Sequence, residues 1–471
     1  MNTKIVAILI VAVMVGAGVG GYALYKSHGS SSKSINIDVN LEVFGNADKD
    51  GKITEDDAKM VEKYIKAKAD DNKTVLDELA TIMSSDFADA DRNGSIEQAD
   101  ADLIRQIVAG TEKYIWILDG QGNVKKVNAE SKRIGCEYFA NTELCLILGL
   151  SDRIAAVDFA PYKYRSFYFS EEKAKTIGDL GNMSEPNYDE VNKLELDTLL
   201  TFYISNQEAK ETKIYNCDVL YLGCYNPDIT NTEKSAFIQG ILKAGYIFKV
   251  VERAEEYANW LLNYRDQLLS IANGIPEADK PTVMSATYGS AYFNDGSNKT
   301  VTVYKPADPL GQAIELAGGH NVYKDIKEGD ITKSSLYGAT VNIDTVLGTN
   351  TTVKHIYLHM VKYTYGGMEQ ASTPKHGYLI DDTTELAAGL AKMKALELVE
   401  DDMSVQLIAG EFRNGCSAGV LLGAFMGKQI NPEAYKTIDP VKMMNEYIGW
   451  MGIKDFDAGV HGQYVYPGLT A

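Results

Sequence analysis

Cysteine is scarce in this chain. Its 471 residues include five cysteines, and an odd number leaves at least one unpaired. They are too few and too scattered for a disulfide framework. We therefore expect the cysteines to pack near strands as small buried hydrophobic residues. Cys217 and Cys224 could instead pair or bind a metal. The five are Cys136, Cys145, Cys217, Cys224 and Cys416.

Positive charge is also in short supply. The chain has 46 Lys and Arg against 65 Asp and Glu, a net charge of -19. Nucleic-acid phosphates require a basic face, so this balance excludes nucleic acid as a partner, and it disfavours an anionic membrane surface. Hydrophobic residues make up 45% of the chain, which is ample for packed cores. The length predicts about two to four domains.

A catalytic set is missing from the motifs. No Ser-His-Asp arrangement, phosphate-binding loop or pair of catalytic carboxylates can be assembled from them. His355 and His359 lie four residues apart on a predicted strand, which separates their rings. For His359 we therefore favour a structural role over metal binding. The sequence predicts that the protein is not an enzyme.

One long apolar run stands at the start of the chain. From Ile5 to Leu24 there are 20 uncharged residues, enough for a helix to cross the ~30 Å hydrocarbon core of a bilayer. No convincing Ala-x-Ala site follows and no cysteine lies nearby to take a lipid, which favours an uncleaved anchor over a removed signal peptide. We predict a signal or anchor helix with a tether over residues 1–35. The protein would then be extracytoplasmic, either membrane-anchored or secreted.

An acidic, glycine-containing loop occurs twice after this segment. Oxygen-bearing side chains stand at loop positions 1, 3, 5 and 12, with glycine at position 6. Ca²⁺ takes six to eight oxygen ligands, and the glycine allows the sharp turn around the ion. The second copy follows 43 residues after the first, and an amphipathic helical pattern follows each. The predicted Ca²⁺ ligands are Asn46, Asp48, Asp50, the Lys52 carbonyl and Asp57 in the first loop, and Asp89, Asp91, Asn93, the Ser95 carbonyl and Asp100 in the second.

These loops resemble those of dockerins, calcium-dependent modules that insert into the cohesin modules of cell-surface assemblies. The resemblance covers about residues 41–110, with Asp at position 12 and no helix entering the first loop. It implies a small all-α module over residues 36–112 that needs Ca²⁺ to fold, and a cohesin-like surface module as a candidate partner. Positions 10 and 11 are Glu55-Asp56 and Gln98-Ala99, where that family commonly has small hydroxyl residues.

Strand and helix patterns alternate over the rest of the chain, which is typical of βαβ units. The pattern runs once before and once after a long amphipathic helical stretch, Glu252 to Ala272, that stops at Gly274 and Pro276. The sequence therefore predicts an α/β fold of two Rossmann-like lobes joined by a single long helix. The predicted divisions are residues 113–249 for the first lobe, 250–275 for the linking helix and 276–471 for the second lobe.

Short motifs in this region resemble the class III solute-binding proteins of ABC importers. In the first lobe they include Asn141-Thr142-Glu143 and Leu148-Gly149-Leu150, and in the second Ala317-Gly318-Gly319-His320-Asn321-Val322 and Asn431-Pro432-Glu433-Ala434-Tyr435. The resemblance runs from about Tyr114 to the end of the chain. It implies an extracytoplasmic protein that captures a metal chelate or corrinoid, of the iron-siderophore, haem or cobalamin class, and delivers it to an ABC permease.

Aromatic loops are the candidate ligand contacts. Ligands of open α/β sheets lie beyond the carboxyl ends of the strands, and the loops predicted there are rich in tyrosine. Tyrosine offers a flat apolar face and a hydroxyl, which suits macrocycles and chelates, and arginine pairs with anionic groups. The candidate ligand-binding residues are Tyr162, Tyr164, Arg165, Tyr225, Tyr288, Tyr292, Tyr365 and Arg413.

Two acids are candidates for docking to the permease. The class III resemblance implies one acidic side chain on the outer surface of each lobe that meets arginines of the permease. The matching positions are Asp189, in a Pro-Asn-x-acid pattern, and Asp344. Both also begin a helical stretch, where an acid stabilises the helix N-terminus without any partner.

Two other functions compete with transport. One is a cell-surface assembly protein that docks through the calcium module and carries no ligand. An intact aromatic cleft would count against it. The other is a chelatase-like enzyme, which would require histidine and acid clustered in the cleft.

Overall fold

The computed structural model describes residues 37, 39–224, 229, 235–296, 298–348, 351–361 and 373–468. The predicted anchor at Ile5–Leu24 lies outside this part of the chain. Within the part that is described, no helix combines the length and the apolar character needed to cross a bilayer. Residues from Ile37 onward form one compact unit.

The N-terminal region is helical, and each of its two main helices begins inside one of the repeated acidic loops. The helices are α1 (Glu55–Ala69), α2 (Lys73–Ile82), α3 (Ser85–Ala88) and α4 (Gln98–Ala109). The Thr54 hydroxyl caps α1 by accepting from the Asp56 amide at 3.1 Å, and the Asp57 carboxylate accepts from the Thr54 amide at 2.7 Å. Helices α1 and α4 pack through buried apolar residues such as Val61 and Ile104.

The first lobe is built on a five-stranded parallel sheet in the order β5-β4-β3-β6-β7. Its strands are short and almost wholly apolar, as expected of strands covered on both faces. An antiparallel hairpin, β1 with β2, precedes it. The strands are β1 (Tyr114–Leu118), β2 (Val124–Asn128), β3 (Ile134–Cys136), β4 (Ile154–Val157), β5 (Gly178–Asp179), β6 (Thr198–Leu200) and β7 (Asp218–Leu220). The helices are α5 (Tyr138–Ile147), α6 (Phe159–Lys163), α7 (Arg165–Tyr168), α8 (Glu171–Ala174), α9 (Tyr188–Asn192), α10 (Gln207–Lys213) and α11 (Ala236–Ile247).

One long helix, α12 (Val251–Asn273), links the two lobes. Its buried face repeats every three or four residues through Ala254, Tyr257, Ala258 and Leu261, which is the period of an amphipathic helix. The helix ends at Gly274, where the sequence predicted its end. The predicted α/β fold of two lobes joined by a single helix is confirmed.

The second lobe is built on a mixed sheet in the order β11-β12-β9-β8-β13-β14-β15, with β10 beside β8. Strand β13 lies between β8 and β14 in parallel, whereas β9, β12, β11 and β15 add antiparallel edges. The strands are β8 (Thr282–Thr287), β9 (Thr300–Tyr304), β10 (His320–Asn321), β11 (Ile331–Ser334), β12 (Gly338–Asn342), β13 (Val353–His359), β14 (Ser404–Ile408) and β15 (Val465–Tyr466). The helices are α13 (Ala291–Asp295), α14 (Pro309–Leu316), α15 (Asp344–Leu347), α16 (Thr384–Lys394), α17 (Gly410–Asn414), α18 (Val420–Ile430) and α19 (Pro440–Trp450).

All five cysteines are free thiols. Four are buried, and Cys217 is half-buried. Cys136 and Cys145 lie 3.6 Å apart, sulfur to sulfur, inside the first lobe. Burial raises the pKa of Cys224 to about 12, so this thiol is protonated at neutral pH and packs as a small hydrophobic residue.

Candidate functional site

A cleft of about 600 Å³ lies between the two lobes. Residues from both lobes line it, and most of them are aromatic or aliphatic. The aromatic lining comprises Tyr138, Phe139, Phe159, Tyr164, Phe202, Tyr203 and Tyr221 from the first lobe and Tyr304 and Tyr337 from the second. The volume lies within the range of about 300–1,000 Å³ that is typical of small-molecule sites.

The first lobe contributes a stacked aromatic pair to the cleft wall. The rings of Tyr138 and Phe202 lie 3.9 Å apart, centroid to centroid, and are nearly parallel. Tyr138 lies two residues after the end of strand β3 and has a φ of 73°, a left-handed conformation that is strained for a bulky residue. Such strain persists only where neighbouring groups hold the backbone in place.

A buried ion pair beneath these rings holds the two loops that carry them. The Lys210 ammonium lies 2.6 Å from the Glu137 carboxylate and donates to the Thr201 hydroxyl at 2.9 Å. Glu137 also accepts from the backbone amide of Phe202 at 2.9 Å. Burial lowers the pKa of Lys210, whereas the charge of Glu137 opposes the change. The pair therefore fixes the loop after β3 against the loop after β6.

A second acid, Asp158, lies at the same sheet edge. It directly follows β4 and is fully buried, and among the described residues neither of its carboxylate oxygens has a hydrogen-bond partner. Burial raises its pKa well above the ordinary value, and the nearby Glu137 charge adds to the effect. Both effects favour the protonated form of this carboxyl group.

The second lobe contributes a polar chain to the opposite wall. The Tyr304 hydroxyl lies 2.9 Å from His359 Nδ1 and 3.0 Å from the Thr287 hydroxyl. His359 is buried at the end of β13, and within the described part of the chain its Nε2 has no hydrogen-bond partner. Burial lowers its pKa well below the ordinary value, with further lowering by Arg413 and His376. His359 is therefore neutral at pH 7.

Arg413 lines the cleft but is already bound to an acid. Its guanidinium is bidentate to Asp308, with Nε 3.0 Å from Oδ1 and Nη2 bonded to Oδ2. Asp308 is fully buried and also caps helix α14. The guanidinium carbon lies 4.7 Å from the centre of the Tyr304 ring. Arg413 thus presents a neutralised cation beside an aromatic face.

The Asn141-Thr142-Glu143 motif joins the two lobes. Asn141 donates to the carbonyls of Glu137 and Leu200, at 2.8 and 3.2 Å. The Glu143 carboxylate is fully buried and accepts hydrogen bonds from both lobes. Its donors are the hydroxyl of Tyr168 at 2.8 Å, the hydroxyl of Tyr378 at 3.4 Å, the amide of Cys416 at 2.8 Å and the hydroxyl of Tyr447. This carboxylate therefore forms a buried polar contact between the lobes.

The structure separates the predicted ligand contacts into three groups. Tyr164 and Arg413 line the cleft. Tyr162 and Arg165 are outside its lining and bond to each other, with the guanidinium 4.1 Å from the ring centre. Tyr288 and Tyr292 point into the hydrophobic core of the second lobe instead. Tyr225 and Tyr365 lie outside the described residues.

The sequence reasoning missed several residues of the cleft. The main ones follow or end a strand, which was the available signal: Tyr138 after β3, Phe202 after β6, Tyr304 at the end of β9 and His359 at the end of β13. Tyr337 comes from the β11–β12 hairpin. His359, for which the sequence favours a structural role, is also among the lining residues.

Three carboxylates come together in the second acidic loop, whereas the first loop has a buried side-chain oxygen without a hydrogen-bond partner among the described residues. In the second loop, carboxylate oxygens of Asp89, Asp91 and Asp100 all lie within 4.8 Å of one another. In the first loop, Asn46 is buried, and its side-chain oxygen has no hydrogen-bond partner among the described residues. Burial raises the pKa of Asp57 to about 6. An orphaned buried oxygen among carboxylates fits a hard cation, so the residues suit Ca²⁺. The resemblance to dockerins stays a prediction.

The two candidate docking acids lie on the surface. Asp189 is in the first turn of α9 and Asp344 begins α15. Asp344 lies 3.7 Å from the Lys299 ammonium, and both side chains are exposed. Both positions are therefore accessible, as docking to a permease requires. Both also lie where an acid stabilises the helix N-terminus, so the two interpretations fit equally.

Solved structures with the same architecture are periplasmic binding proteins. The TroA-like periplasmic binding protein FepB from Veillonella parvula matches with a TM-score of 0.54 at 16% identity, over 75% of this chain and 99% of that chain. The molybdate-bound MolA of Haemophilus influenzae matches at 0.51 and 13%, over 72% of this chain and 98% of that chain. Helicobacter pylori CeuE with Ni(II) bound matches at 0.50 and 12%, over 73% and 98%.

No protein-family model matches the sequence, and no curated protein matches it. Identities this low establish the fold alone. The lobes, the linking helix and the cleft between them therefore have the two-lobed fold of TroA-like periplasmic binding proteins.

Proposed function

We propose that this protein is the extracytoplasmic substrate-binding subunit of an ABC importer, which captures a metal chelate or corrinoid between its lobes and delivers it to a membrane permease. The aromatic cleft between two lobes carries the proposal. Two proteins of the same fold are recorded with metal-containing ligands, molybdate in MolA and Ni(II) in CeuE. The extracytoplasmic location is part of the proposal, and the shared fold supports it.

The chemistry of the cleft favours a ligand with a large aromatic or apolar surface and little net charge. Stacked rings such as Tyr138 and Phe202 offer flat apolar faces. The charge of Arg413 is matched by Asp308, so it adds little attraction for a multiply charged anion. His359 Nε2 supplies one polar atom to the lining. A neutral chelate or a corrinoid fits this combination.

Titration of the purified protein with candidate ligands tests the proposal. Cobalamin, haem, a ferric hydroxamate and a ferric catecholate would each be added while tyrosine and tryptophan emission is followed. We expect micromolar quenching by at least one of them and weaker binding by Phe202→Leu. Tyr215→Leu is the matched control, because Tyr215 is 70% exposed and is not among the lining residues. Absence of quenching by all four would overturn this ligand class.

We further propose that Asp189 and Asp344 dock the protein to its permease. Exposed charges far from a buried cleft affect association with a partner protein, whereas they have little effect on the affinity of the cleft for its ligand. The double substitution Asp189→Ala, Asp344→Ala should therefore abolish uptake in a reconstituted system and leave ligand affinity unchanged. Glu185→Ala, Asp330→Ala is a control with exposed acids on the same two lobes. Normal uptake by the first pair would contradict the docking role.

We also propose that the two acidic loops bind Ca²⁺. The specific support is the orphaned Asn46 oxygen in the first loop and the close carboxylates of the second. Isothermal titration of the chelator-treated full chain should show two Ca²⁺ sites, and heating should reveal a lower unfolding temperature with chelator than with Ca²⁺. A flat titration would refute calcium binding. A cohesin-like partner in a surface assembly remains the alternative use of these loops.

A chelatase-like enzyme is not favoured. Such chemistry would need histidine and acid clustered in the cleft. The described lining contains His359 and His376 but no Asp or Glu. His376 donates from Nδ1 to the Pro374 carbonyl at 2.7 Å, which orients its ring.

A further inference from the structure

The N-terminal module is joined to the first lobe by backbone hydrogen bonds. Val43 pairs antiparallel with Ile117 of β1. The Phe44 amide donates to the Trp116 carbonyl at 2.9 Å, and the Leu118 amide donates to the Glu42 carbonyl at 3.0 Å. The segment just before the first acidic loop therefore extends the β1–β2 hairpin as a short third strand.

Helix α11 holds the same segment through side chains. Gln239 brackets it, donating to the Asn40 carbonyl at 2.6 Å and accepting from the Glu42 amide at 3.2 Å. Lys243, whose side chain is almost fully buried, donates to the Glu42 carboxylate at 2.5 Å and to the Leu118 carbonyl at 2.7 Å. A buried amine with two acceptors is a specific contact, because losing either acceptor would leave the charge poorly compensated.

The first acidic loop itself contacts the first lobe and the linking helix. The backbone amide of Ile53, which lies between the predicted ligands Lys52 and Asp57, donates to the buried Tyr246 hydroxyl of α11 at 2.8 Å. The Lys52 ammonium lies 3.1 Å from Glu255 of α12, a pair that is largely exposed. The loop thus contacts α12, which links the two lobes, and α11, which directly precedes it in the chain.

The second acidic loop has no such contacts. Within the described part of the chain, the hydrogen bonds and ion pairs of residues 89–97 stay inside the N-terminal module. Asp48 and Asp91 otherwise match closely, since each accepts from the amide two residues on, Asp50 or Asn93, at 3.0 Å. The two loops are alike in sequence and differ in what they touch.

We propose that the first loop and the residues 40–44 before it form an intramolecular docking surface whose partner is β1 and α11 of the same chain, and that Ca²⁺ bound in this loop keeps the module clamped on the first lobe. The inference rests on the proposed calcium binding. Asn46 links the two parts, because its side-chain amide donates to the carbonyls of Leu41 and Asp50, both at 2.8 Å. Without the cation, the loop carboxylates repel one another and the Ile53 amide loses its fixed position.

Hydrogen–deuterium exchange of the full chain tests the clamp, with Ca²⁺ binding measured by calorimetry on the same samples. Ca²⁺ at about 100 times its Kd shifts an equilibrium that it controls by about 100-fold, so amides of Ala236–Ile247 should exchange at least about tenfold more slowly with Ca²⁺ than with chelator. Asp91→Ala should keep this slowing, and its matched partner Asp48→Ala should lose it. Tyr246→Phe leaves all predicted Ca²⁺ ligands in place. It removes one hydrogen bond, whose loss changes an equilibrium about fivefold, so the slowing of exchange should fall by about that factor.

The outcomes separate the two proposals. No heat of Ca²⁺ binding would refute calcium binding, and the clamp with it. Binding with unchanged exchange in α11 would overturn the clamp alone and leave the module available to a separate partner. Equal loss of slowing in Asp48→Ala and Asp91→Ala, with full slowing in Tyr246→Phe, would also overturn the assignment to the first loop.

Discussion

Each lobe buries one cation–carboxylate pair at the cleft, and the two pairs differ in depth. In the first lobe, Lys210 and Glu137 lie beneath the aromatic wall, and Lys210 is not among the lining residues. In the second lobe, Arg413 lines the cleft while Asp308 holds it from behind. Lys210 ties loops together, whereas Arg413 presents its guanidinium beside the Tyr304 ring.

The comparison shows that similar ion-pair chemistry has different consequences at different depths. A buried pair below the wall acts on the ligand only through the loops that it positions. Under the proposed function, a pair in the wall itself contacts the ligand directly and sets the net charge of the surface that the ligand meets. Substitution of the pair in the first lobe should therefore act mainly on stability, and substitution of the pair in the second lobe mainly on ligand binding.

The largest effect should come from Lys210→Met, which leaves Glu137 as a buried uncompensated charge. We expect the free energy of unfolding to fall by about 3–5 kcal/mol, as when one partner of a buried pair is removed. Urea unfolding followed by circular dichroism measures it. Lys193→Met is the control, because Lys193 pairs with Glu190 at 2.6 Å on the exposed surface and should show no measurable change. Similar results for both lysines would remove the distinction between buried and exposed pairs.

Arg413→Lys tests the wall pair. The substitution keeps the positive charge but loses the bidentate fork and the flat contact with Tyr304. We expect a tenfold or larger loss of ligand affinity, about 1.4 kcal/mol or more, with a smaller loss of stability than Lys210→Met. Emission quenching by whichever ligand binds the unsubstituted protein measures it. Unchanged affinity would mean that both pairs are structural.

The pH dependence of stability sharpens the picture of the second lobe. Burial lowers the pKa of His359 well below its ordinary value, so the folded protein keeps it neutral while the unfolded chain takes up a proton below pH ~6.5. The stabilisation is complete above that pH and is lost as pH falls, by up to about 1.4 kcal/mol per pH unit. His359→Gln should flatten the slope between pH 7 and 5 in urea unfolding. An identical slope in both proteins would contradict a buried neutral imidazole.

The smallest effect distinguishes two tyrosines of the same lobe. Tyr304 lines the cleft and its hydroxyl bonds His359, whereas Tyr288 is packed in the core. Tyr304→Phe should weaken ligand binding by about 1 kcal/mol, the weight of one hydrogen bond. Tyr288→Phe should leave binding unchanged. A larger loss of ligand affinity in Tyr288→Phe than in Tyr304→Phe would indicate that Tyr288 contacts the ligand.

Local sequence patterns predicted the framework well. The linking helix ends at Gly274 as its apolar spacing and the following Gly and Pro indicated. The strand-like runs around residues 134, 154 and 218 are strands of the first sheet. Tyr164 and Arg413 are among the residues that line the cleft, and each lies in a segment that follows the carboxyl end of a strand. Tyr288 and Tyr292 satisfied the same rule, yet they turn into the core, since the rule selects a loop and not the direction of a side chain.

Periodicity, the repeated loop and the linking helix are local properties, because neighbouring residues decide backbone conformation and which face is apolar. The cleft and the contact between the lobes depend on residues far apart in the chain. Glu143 bonds the amide of Cys416, 273 positions away, and Ile53 bonds Tyr246, 193 positions away. Only the packed chain brings such groups together, because burial, which acts over three dimensions, determines which carboxylates find a donor and which tyrosines face a ligand.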